Sequence, residues 1–200
     1  MPEPLWTWSE LVAIADGAAD GAPAWPIRGF SIDTRSLRPG DVFVAVRDRR
    51  DGHEFVPAAF RAGAVAAIVA RNYQHAGSTP ALLRVADPLA ALVNIARAAR
   101  LRSAARIIAI TGSVGKTGTK EMLSLCLSEL GRTHAAEKSY NNHWGVPLTL
   151  ARLPRDTEYG VFEIGMNHAG EIGPLASLVT PHEALITTCL LYTSPSPRDS

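Results

Sequence analysis

The residues with the clearest chemistry form a glycine-rich segment, ITGSVGKTGTK, which runs from Ile110 to Lys120. Gly112 and Gly115 allow tight backbone turns in which successive N–H groups can face a phosphate. In such a loop the lysine neutralises nucleotide phosphates and the hydroxyl that follows it binds Mg²⁺. The usual motif has a glycine at the position of Ile110, so this one is the shorter T-G-x-x-G-K-T. It predicts a nucleotide-phosphate site, and a glycine-rich turn with an exposed lysine is the alternative.

The stretches on either side of this loop have the pattern of a strand followed by a helix. Residues 106–111 (RIIAIT) are apolar, and residues 116–130 are expected to form a helix that Gly131 ends. A helix that begins at Lys116 directs the positive end of its dipole towards the phosphates. This setting is typical of a phosphate loop in a parallel α/β sheet.

A carboxylate is needed to share the metal ion, and Glu163 is the best candidate. It follows the apolar run YGVF near the end of a predicted strand, 159–164. Ligands of open α/β sheets gather at this edge. A glutamate at a strand end can also be simply solvated, but the segment EIGMNHAGEI that surrounds Glu163 favours a functional role.

The rest of the chain predicts an α/β fold in two units, residues 1–103 and 104–188. Ser9 is expected to cap the first helix, and Pro57 to lie in the first turn of the second. The predicted helices are 10–15, 53–62, 87–102, 147–153 and 171–179, and the further predicted strands are 30–32, 41–46, 66–70, 81–85 and 184–188. The last twelve residues, CLLYTSPSPRDS, are expected to be disordered.

Composition narrows the classes of function. Lys and Arg number 20 against 19 acidic residues, so charge gives no reason to expect nucleic acid or a membrane surface as a partner. No apolar run approaches the roughly 18 residues that a membrane span needs. The N-terminus lacks the layout of a signal peptide. Cys126 and Cys189 are too few for a disulfide scaffold, which indicates a cytoplasmic location.

Several segments in a fixed order resemble the Mur ligase family. They are SIDTRSLRPGDVFVAV, DGHEFVPAAFRAGAVAAIV, TGSVGKT, SYNNHWGVPLTL and EIGMNHAGEI, and the resemblance covers roughly residues 8–188. The last segment is most similar to the branch of the family that joins D-alanyl-D-alanine to UDP-N-acetylmuramoyl-tripeptide. The resemblance implies a small UDP-sugar-binding α/β domain followed by the first part of a parallel-sheet P-loop ATPase domain. It also implies ATP and Mg²⁺ as cofactors and a full-length protein that is a monomer.

The resemblance also implies roles for individual residues. The catalytic group would be Lys116, Glu163, His168, Asn141 and Asn142, with Thr117 and Glu163 as Mg²⁺ ligands. The ATP-binding residues would be Thr111, Gly112, Ser113, Val114, Gly115, Lys116 and Thr117. The UDP site would be lined by Ser31, Asp33, Thr34 and Arg35 and supported by Asp51, Gly52 and His53.

Some of these assignments have a purely structural alternative. Asp33 and Arg35 can form a surface ion pair. His53 can be a helix-start residue, and His168 a packed loop histidine. Asn141 and Asn142 can shape a turn.

The reaction expected from the resemblance is amide bond formation through an acyl phosphate. ATP phosphorylates a carboxylate of the tripeptide, and the amine of D-alanyl-D-alanine then displaces phosphate. Residues 189–200 do not match the family, so we expect a truncated chain that is inactive alone. The alternatives are a non-catalytic UDP-sugar or nucleotide-binding fragment and a related amide ligase that acts on folate or a polyamino acid.

Overall fold

The computed structural model describes residues 3–48, 50–75, 80–136, 140–166 and 170–188. Its helices are α1 Trp8–Ile14, α2 Val56–Arg61, α3 Pro88–Arg102, α4 Lys116–Ser128, α5 Gly145–Ala151 and α6 Ile172–Val179, and a 3₁₀ helix spans Gly52–Phe55. Its strands are β1 Ala18–Asp20, β2 Gly29–Ser31, β3 Asp41–Val44, β4 Ala66–Ala70, β5 Leu82–Val85, β6 Arg106–Thr111, β7 Thr133–Ala135, β8 Tyr159–Glu163 and β9 Glu183–Ile186.

The first sheet is ordered β1–β5–β4–β3–β2 in the described part of the chain. β1 pairs antiparallel with β5, and the other neighbours are parallel. The central strand β4, AAIVA, is buried along nearly its whole length. Such a continuous apolar strand is what a parallel sheet covered on both faces requires. The core on one face includes residues of α1 and α3, and the core on the other includes residues of α2.

The second sheet is ordered β7–β8–β6–β9 and is parallel throughout. Residues of α3, α5 and α6 share a core with β6 and β8, while α4 packs against β6, β7 and β8. From β6 the chain passes through α4 to β7 on one side, and from β8 it crosses through α6 to β9 on the other side, so a switch point lies between the carboxyl ends of β6 and β8. Ligands of open parallel sheets bind at such a point.

Helix α5 joins the two sheets because all seven of its residues are buried. Leu148 and Ala151 belong to the core of the first sheet, and Val146 and Leu150 to that of the second. The indole Nε1 of Trp6 donates to the carbonyl of Ala151 over 3.0 Å. The turn that precedes α5 is therefore fixed with respect to both units.

The predicted α/β class is confirmed, and most predicted elements are present with ends shifted by one to three residues. The helix expected over 53–62 starts with the 3₁₀ turn, and Pro57 lies in the first turn of α2, as predicted. The prediction that Ser9 caps the first helix was wrong. Thr7 is the cap, because its hydroxyl accepts from the Glu10 N–H while the Glu10 carboxylate accepts from the Thr7 N–H.

Other differences concern short elements and helix ends. The strands β1 and β7 were not predicted, since three residues are too few to show an alternating pattern. Helix α4 ends at Ser128 rather than Leu130, with Gly131 N–H donating to Leu127 O over 3.0 Å. In the described ranges, no helix is long and apolar enough to cross a membrane. Residues 189–200 and the expected disorder there lie outside the described part.

Candidate functional site

The glycine-rich loop adopts the backbone turns that its sequence predicts. Gly112 and Gly115 have φ of +133° and +89°, and Gly115 is the residue at which α4 begins to turn. The Lys116 ammonium donates to Gly112 O over 2.7 Å, which folds the lysine across the loop. Because α4 starts here, the N–H groups of its first turn have no acceptor within the helix and can receive an anion.

Part of the loop backbone is bound differently from the prediction. The N–H groups of Ser113 and Val114 donate to the carbonyl of Thr188, over 3.0 and 3.4 Å. They point to the segment after β9 rather than towards a phosphate. The groups of the loop that can bind a phosphate are then the first turn of α4 and the Lys116 ammonium, which would turn from Gly112 O towards the anion.

Glu163 lies where the sequence places it, at the end of β8 and directly beside the loop. It pairs in register with Ile110 of β6, and only 2% of its surface is exposed. Its Oε2 accepts from the Thr117 hydroxyl over 3.0 Å, and its Oε1 accepts from the Asn141 amide over 2.7 Å. Three residues far apart in sequence thus meet at one buried carboxylate.

These oxygen atoms fit a magnesium ion. Mg²⁺ binds hard oxygen ligands at about 2.0–2.1 Å in octahedral geometry, which sets neighbouring ligand oxygens roughly 2.9 Å apart. Thr117 Oγ1 and Glu163 Oε2 already have that separation. Among the described residues no three His, Cys, Asp or Glu side chains cluster as a metal cage. Mg²⁺ in phosphate sites typically takes one or two carboxylates and completes its shell with phosphate and water.

The two adjacent asparagines have different roles. Asn141 contacts Glu163 through its side chain and accepts from the Gly165 N–H through its carbonyl, over 2.7 Å. Asn142 instead accepts from the Gly145 N–H with its Oδ1, over 2.9 Å, and so shapes the turn into α5. The turn-forming alternative therefore fits Asn142, whose catalytic role stays a prediction. His168 lies outside the described residues, and its role stays a prediction as well.

Four of the seven residues predicted to bind the UDP group line one cleft at the carboxyl ends of β2 and β3. They are Asp33, Thr34, Arg35 and Gly52, and the cleft has a volume of ≈ 560 Å³. This is within the range of small-molecule sites. Ser31, Asp51 and His53 are not part of the lining, and Ser31 and His53 are buried.

Arg35 and Asp33 form the ion pair that the structural alternative describes. Arg35 Nη2 lies 2.7 Å from Asp33 Oδ2, and Arg35 Nε donates to both carboxylate oxygens. This hydrogen bonding raises the pKa of Arg35 above its ordinary value. Ser31 supports the turn because its hydroxyl donates to Asp33 O over 2.9 Å. The pair does not exclude binding, since 88% of the Arg35 side chain remains exposed at the cleft.

Asp51 and His53 are hydrogen-bonded to each other on either side of Gly52, which lines the cleft. Asp51 Oδ1 accepts from the His53 N–H over 3.0 Å, and this bond is the main cause that lowers the pKa of Asp51. The Ala70 N–H donates to His53 Nε2 over 2.9 Å, so Nε2 carries no proton and Nδ1–H donates to Asp51 over 2.5 Å. Both ring nitrogens of His53 are thus used within the protein, which agrees with a supporting role.

Sequence reasoning missed further residues at both sites. Arg50, Phe55, Tyr140 and Trp144 also line the cleft, and the last two come from the second unit. Nothing local in the sequence indicates that Tyr140 and Trp144 reach the first unit. Lys120, one helical turn after Lys116, is fully buried and donates to Ala136 O over 2.7 Å.

Comparison with known proteins finds similarity to one kind of enzyme. Residues 110–189 match the family model described as Mur ligase middle domain. The chain is 43% identical over 162 residues to the UDP-N-acetylmuramoyl-tripeptide--D-alanyl-D-alanine ligase of Synechocystis, covering 80% of this chain and 36% of the relative. It is 40% identical to the Escherichia coli enzyme of the same name, covering 90% of this chain and 39% of that protein. The chain therefore spans about two fifths of the length of these relatives.

Solved structures named MurF are also similar to this chain. A MurF from Acinetobacter baumannii superposes with a TM-score of 0.77 at 37% identity, covering 93% of this chain and 41% of that one. A MurF ligase from Thermotoga maritima in complex with ADP superposes with a TM-score of 0.64 at 31% identity, covering 80% of this chain and 37% of that one.

Proposed function

We propose that this chain, which belongs to the Mur ligase family, is the precursor-binding and phosphate-binding part of an ATP-dependent ligase. The ligase would join D-alanyl-D-alanine to UDP-N-acetylmuramoyl-tripeptide in peptidoglycan synthesis, as the names of its relatives state for those proteins. The observation that carries the proposal is the meeting of Thr117, Asn141 and Glu163 beside the glycine-rich loop. Cytoplasmic location, a monomeric full-length protein and a boundary near residue 103 belong to the same proposal.

The chemistry needs charge neutralisation, because an anionic carboxylate must attack an anionic phosphate. Lys116 and the first-turn N–H groups of α4 would bind the β- and γ-phosphates. Thr117 and Glu163 would hold Mg²⁺, which supplies further positive charge to the phosphates when bound. Asn141 would keep the Glu163 carboxylate oriented, since it donates to the oxygen that Thr117 does not use. Catalysis would then consist of positioning and charge stabilisation.

The cleft of the first unit would bind the UDP-linked precursor. Exposed guanidinium groups of Arg35 and Arg50 can bind a diphosphate, and Thr34 offers a hydroxyl to the ligand. A cleft suited to a diphosphate favours the UDP-linked precursor over folate or a polyamino acid as the substrate. The tripeptide would extend from the cleft towards Glu163, where its carboxylate is activated.

Titration calorimetry with UDP-N-acetylmuramoyl-tripeptide tests the proposal on the chain as it stands. We expect saturable binding that weakens about tenfold or more in Arg35→Ala, since hydrogen bonds to charged groups contribute about 1.5–3 kcal/mol. Arg61→Ala, which removes an exposed arginine of α2 that is not part of the cleft lining, should bind as the wild type does. Absence of binding by a chain whose circular dichroism shows it to be folded would overturn the precursor assignment.

A further inference from the structure

The turn that leads into α5 carries two aromatic side chains in a fixed arrangement. The rings of Tyr140 and Trp144 lie edge to face, with centroids 5.9 Å apart and planes at 66°. The turn is closed by the bond from Gly145 N–H to Asn142 Oδ1. A Cβ on Gly145 would lie 2.7 Å from the Tyr140 carbonyl carbon, so only glycine allows this approach.

The base of this turn is held by a hydrogen bond and by packing. Trp144 O accepts from the Leu148 N–H over 3.1 Å, and every residue of α5 is buried between the two sheets. Tyr140 packs against the core of the first sheet. An aromatic face that is already fixed before binding loses little conformational entropy when a ligand stacks on it.

The surroundings of Trp144 indicate the chemistry of the ligand. The same cleft is lined by the Arg35 and Arg50 side chains, 88% and 70% exposed. The ring of Phe55 is already covered by the Arg50 guanidinium, at 4.5 Å from the ring centroid. Tyr140, the third aromatic residue of the described lining, packs against the core of the first sheet, which leaves Trp144 as the better stacking surface for a ligand. A ligand that suits an aromatic face beside two guanidinium groups has a planar ring and an anionic group, as a nucleoside diphosphate does.

We propose that Trp144 is the stacking surface for the uracil base of the precursor. The inference rests on the proposed function, because it assigns part of the same ligand to a residue of the second unit. The diphosphate is held by arginines of the first unit, so the bound precursor spans both units. Trp144 lies three residues from Asn141, which contacts Glu163. One turn would therefore contact the base through Trp144 and the metal-binding carboxylate through Asn141.

A modified precursor separates stacking from every other effect of a mutation. In 5,6-dihydrouracil the imide edge and the charge of the ligand are kept, while the ring is no longer planar or aromatic. We expect the wild type to bind UDP-N-acetylmuramoyl-tripeptide roughly tenfold more tightly than its dihydrouracil analogue, the size of a base–aromatic stacking contact. In Trp144→Leu the two ligands should bind equally, and Trp144→Phe should keep most of the preference. Trp25→Leu, which changes a tryptophan that is 74% exposed outside this cleft, should behave as the wild type.

The calorimetric titrations distinguish failure of the stacking inference from failure of the proposed function. If Trp144→Leu lowers the affinity for both ligands by the same factor, Trp144 only supports the fold and the inference is overturned. If the wild type does not distinguish the ligands, no aromatic surface binds the base and the inference is again overturned. If a folded wild type binds neither ligand, the proposed function fails, and the inference fails with it.

Discussion

Thr117 and Glu163 are 46 residues apart in the sequence, yet the Thr117 hydroxyl donates to Glu163 Oε2 over 3.0 Å. They meet because β6 and β8 are parallel neighbours with Ile110 in register with Glu163. Parallel pairing brings the start of α4 and the end of β8 to the same edge of the sheet. Because this contact sets a hydroxyl and a carboxylate beside the glycine-rich loop, the loop is a candidate site for a metal-bound nucleotide.

Replacing Glu163 by glutamine keeps the size of the side chain and removes its charge. We expect the affinity for ADP in the presence of Mg²⁺ to fall by about tenfold or more, because a metal ligand is lost. The affinity for ADP in the presence of a chelator should stay nearly the same. Calorimetric titration under both conditions measures the difference.

The control for this prediction is Glu129→Gln, which removes an exposed carboxylate at the other end of α4. It should leave both affinities at the wild-type values. A Glu163→Gln variant that loses affinity equally with and without Mg²⁺ would show that the carboxylate does not bind the metal.

Alanine substitutions at Gly112 and Gly118 should change the free energy of unfolding in opposite directions. A Cβ at Gly112, whose φ is +133°, would lie 2.2 Å from the Thr187 hydroxyl. Gly118 lies inside α4 and has no atom within 4 Å of the added carbon. We expect Gly118→Ala to raise the free energy of unfolding by about 0.5–1 kcal/mol, because alanine reduces the entropy of the unfolded chain. Gly112→Ala should lower it by more than this amount.

Chemical denaturation of Gly112→Ala and Gly118→Ala measures both changes in the free energy of unfolding. Equal stability of Gly112→Ala and the wild type would mean that the Thr187 segment moves away from the loop at no cost. The packing seen between the loop and the segment after β9 would then not be a fixed feature of the protein.

The parts of this protein that sequence reasoning predicted correctly depend on local patterns. The glycine-rich loop lies between an apolar strand and a helix, so its type and its place at a sheet edge follow from residues 106–130 alone. Glu163 could be assigned to the same edge because strand ends of a parallel sheet share one side. The binding roles of Asp33 and Arg35 rest on resemblance and stay predictions, whereas their ion pair was foreseen as an alternative because the two residues are close in sequence.

What sequence reasoning missed depends on packing between distant segments. Trp144 reaches the cleft of the first unit because α5 is buried between the two sheets, which no local pattern shows. Lys120 reads as a surface residue of α4, and its burial depends on Ala136 at the end of β7, itself an unpredicted strand. The N–H groups of Ser113 and Val114 are bound by Thr188, a residue more than 70 positions away.

Lys120 is the residue of α4 that is buried, which makes its ammonium group important for holding the helix on the sheet. It donates to Ala136 O over 2.7 Å and lies 2.8 Å from the Glu121 carboxylate. We expect Lys120→Met to lower the free energy of unfolding by about 1–3 kcal/mol, the cost of an unsatisfied buried polar group. Glu121→Gln should cost less than about 1 kcal/mol, since 63% of that side chain is exposed.

Denaturant titrations of the two variants compare these values. A Lys120→Met chain as stable as the wild type would show that the bonds of the ammonium group only compensate for its burial. In that case α4 would be held by the hydrogen bond between Thr117 and Glu163 and by its partly buried residues.

Asp51 should make stability depend on pH through its bonds to His53. The His53 N–H lowers the pKa of Asp51, so the folded state favours the ionised carboxylate. The stabilisation is therefore present above the ordinary value of 3.8 and is lost as the pH falls below it, through the lowered pKa of the folded state. We expect the difference in free energy of unfolding between the wild type and Asp51→Asn to be constant near neutral pH and to shrink below pH 3.8.

Urea denaturation at a series of pH values measures this difference. Asp16→Asn is a matched control, because Asp16 makes no side-chain hydrogen bond or ion pair within the described residues and has a positive φ of 49° that asparagine tolerates. Its difference from the wild type should stay flat over the same pH range. A wild type that keeps its full advantage over Asp51→Asn well below pH 3.8 would show that the negative charge of Asp51 is not what stabilises its turn with His53.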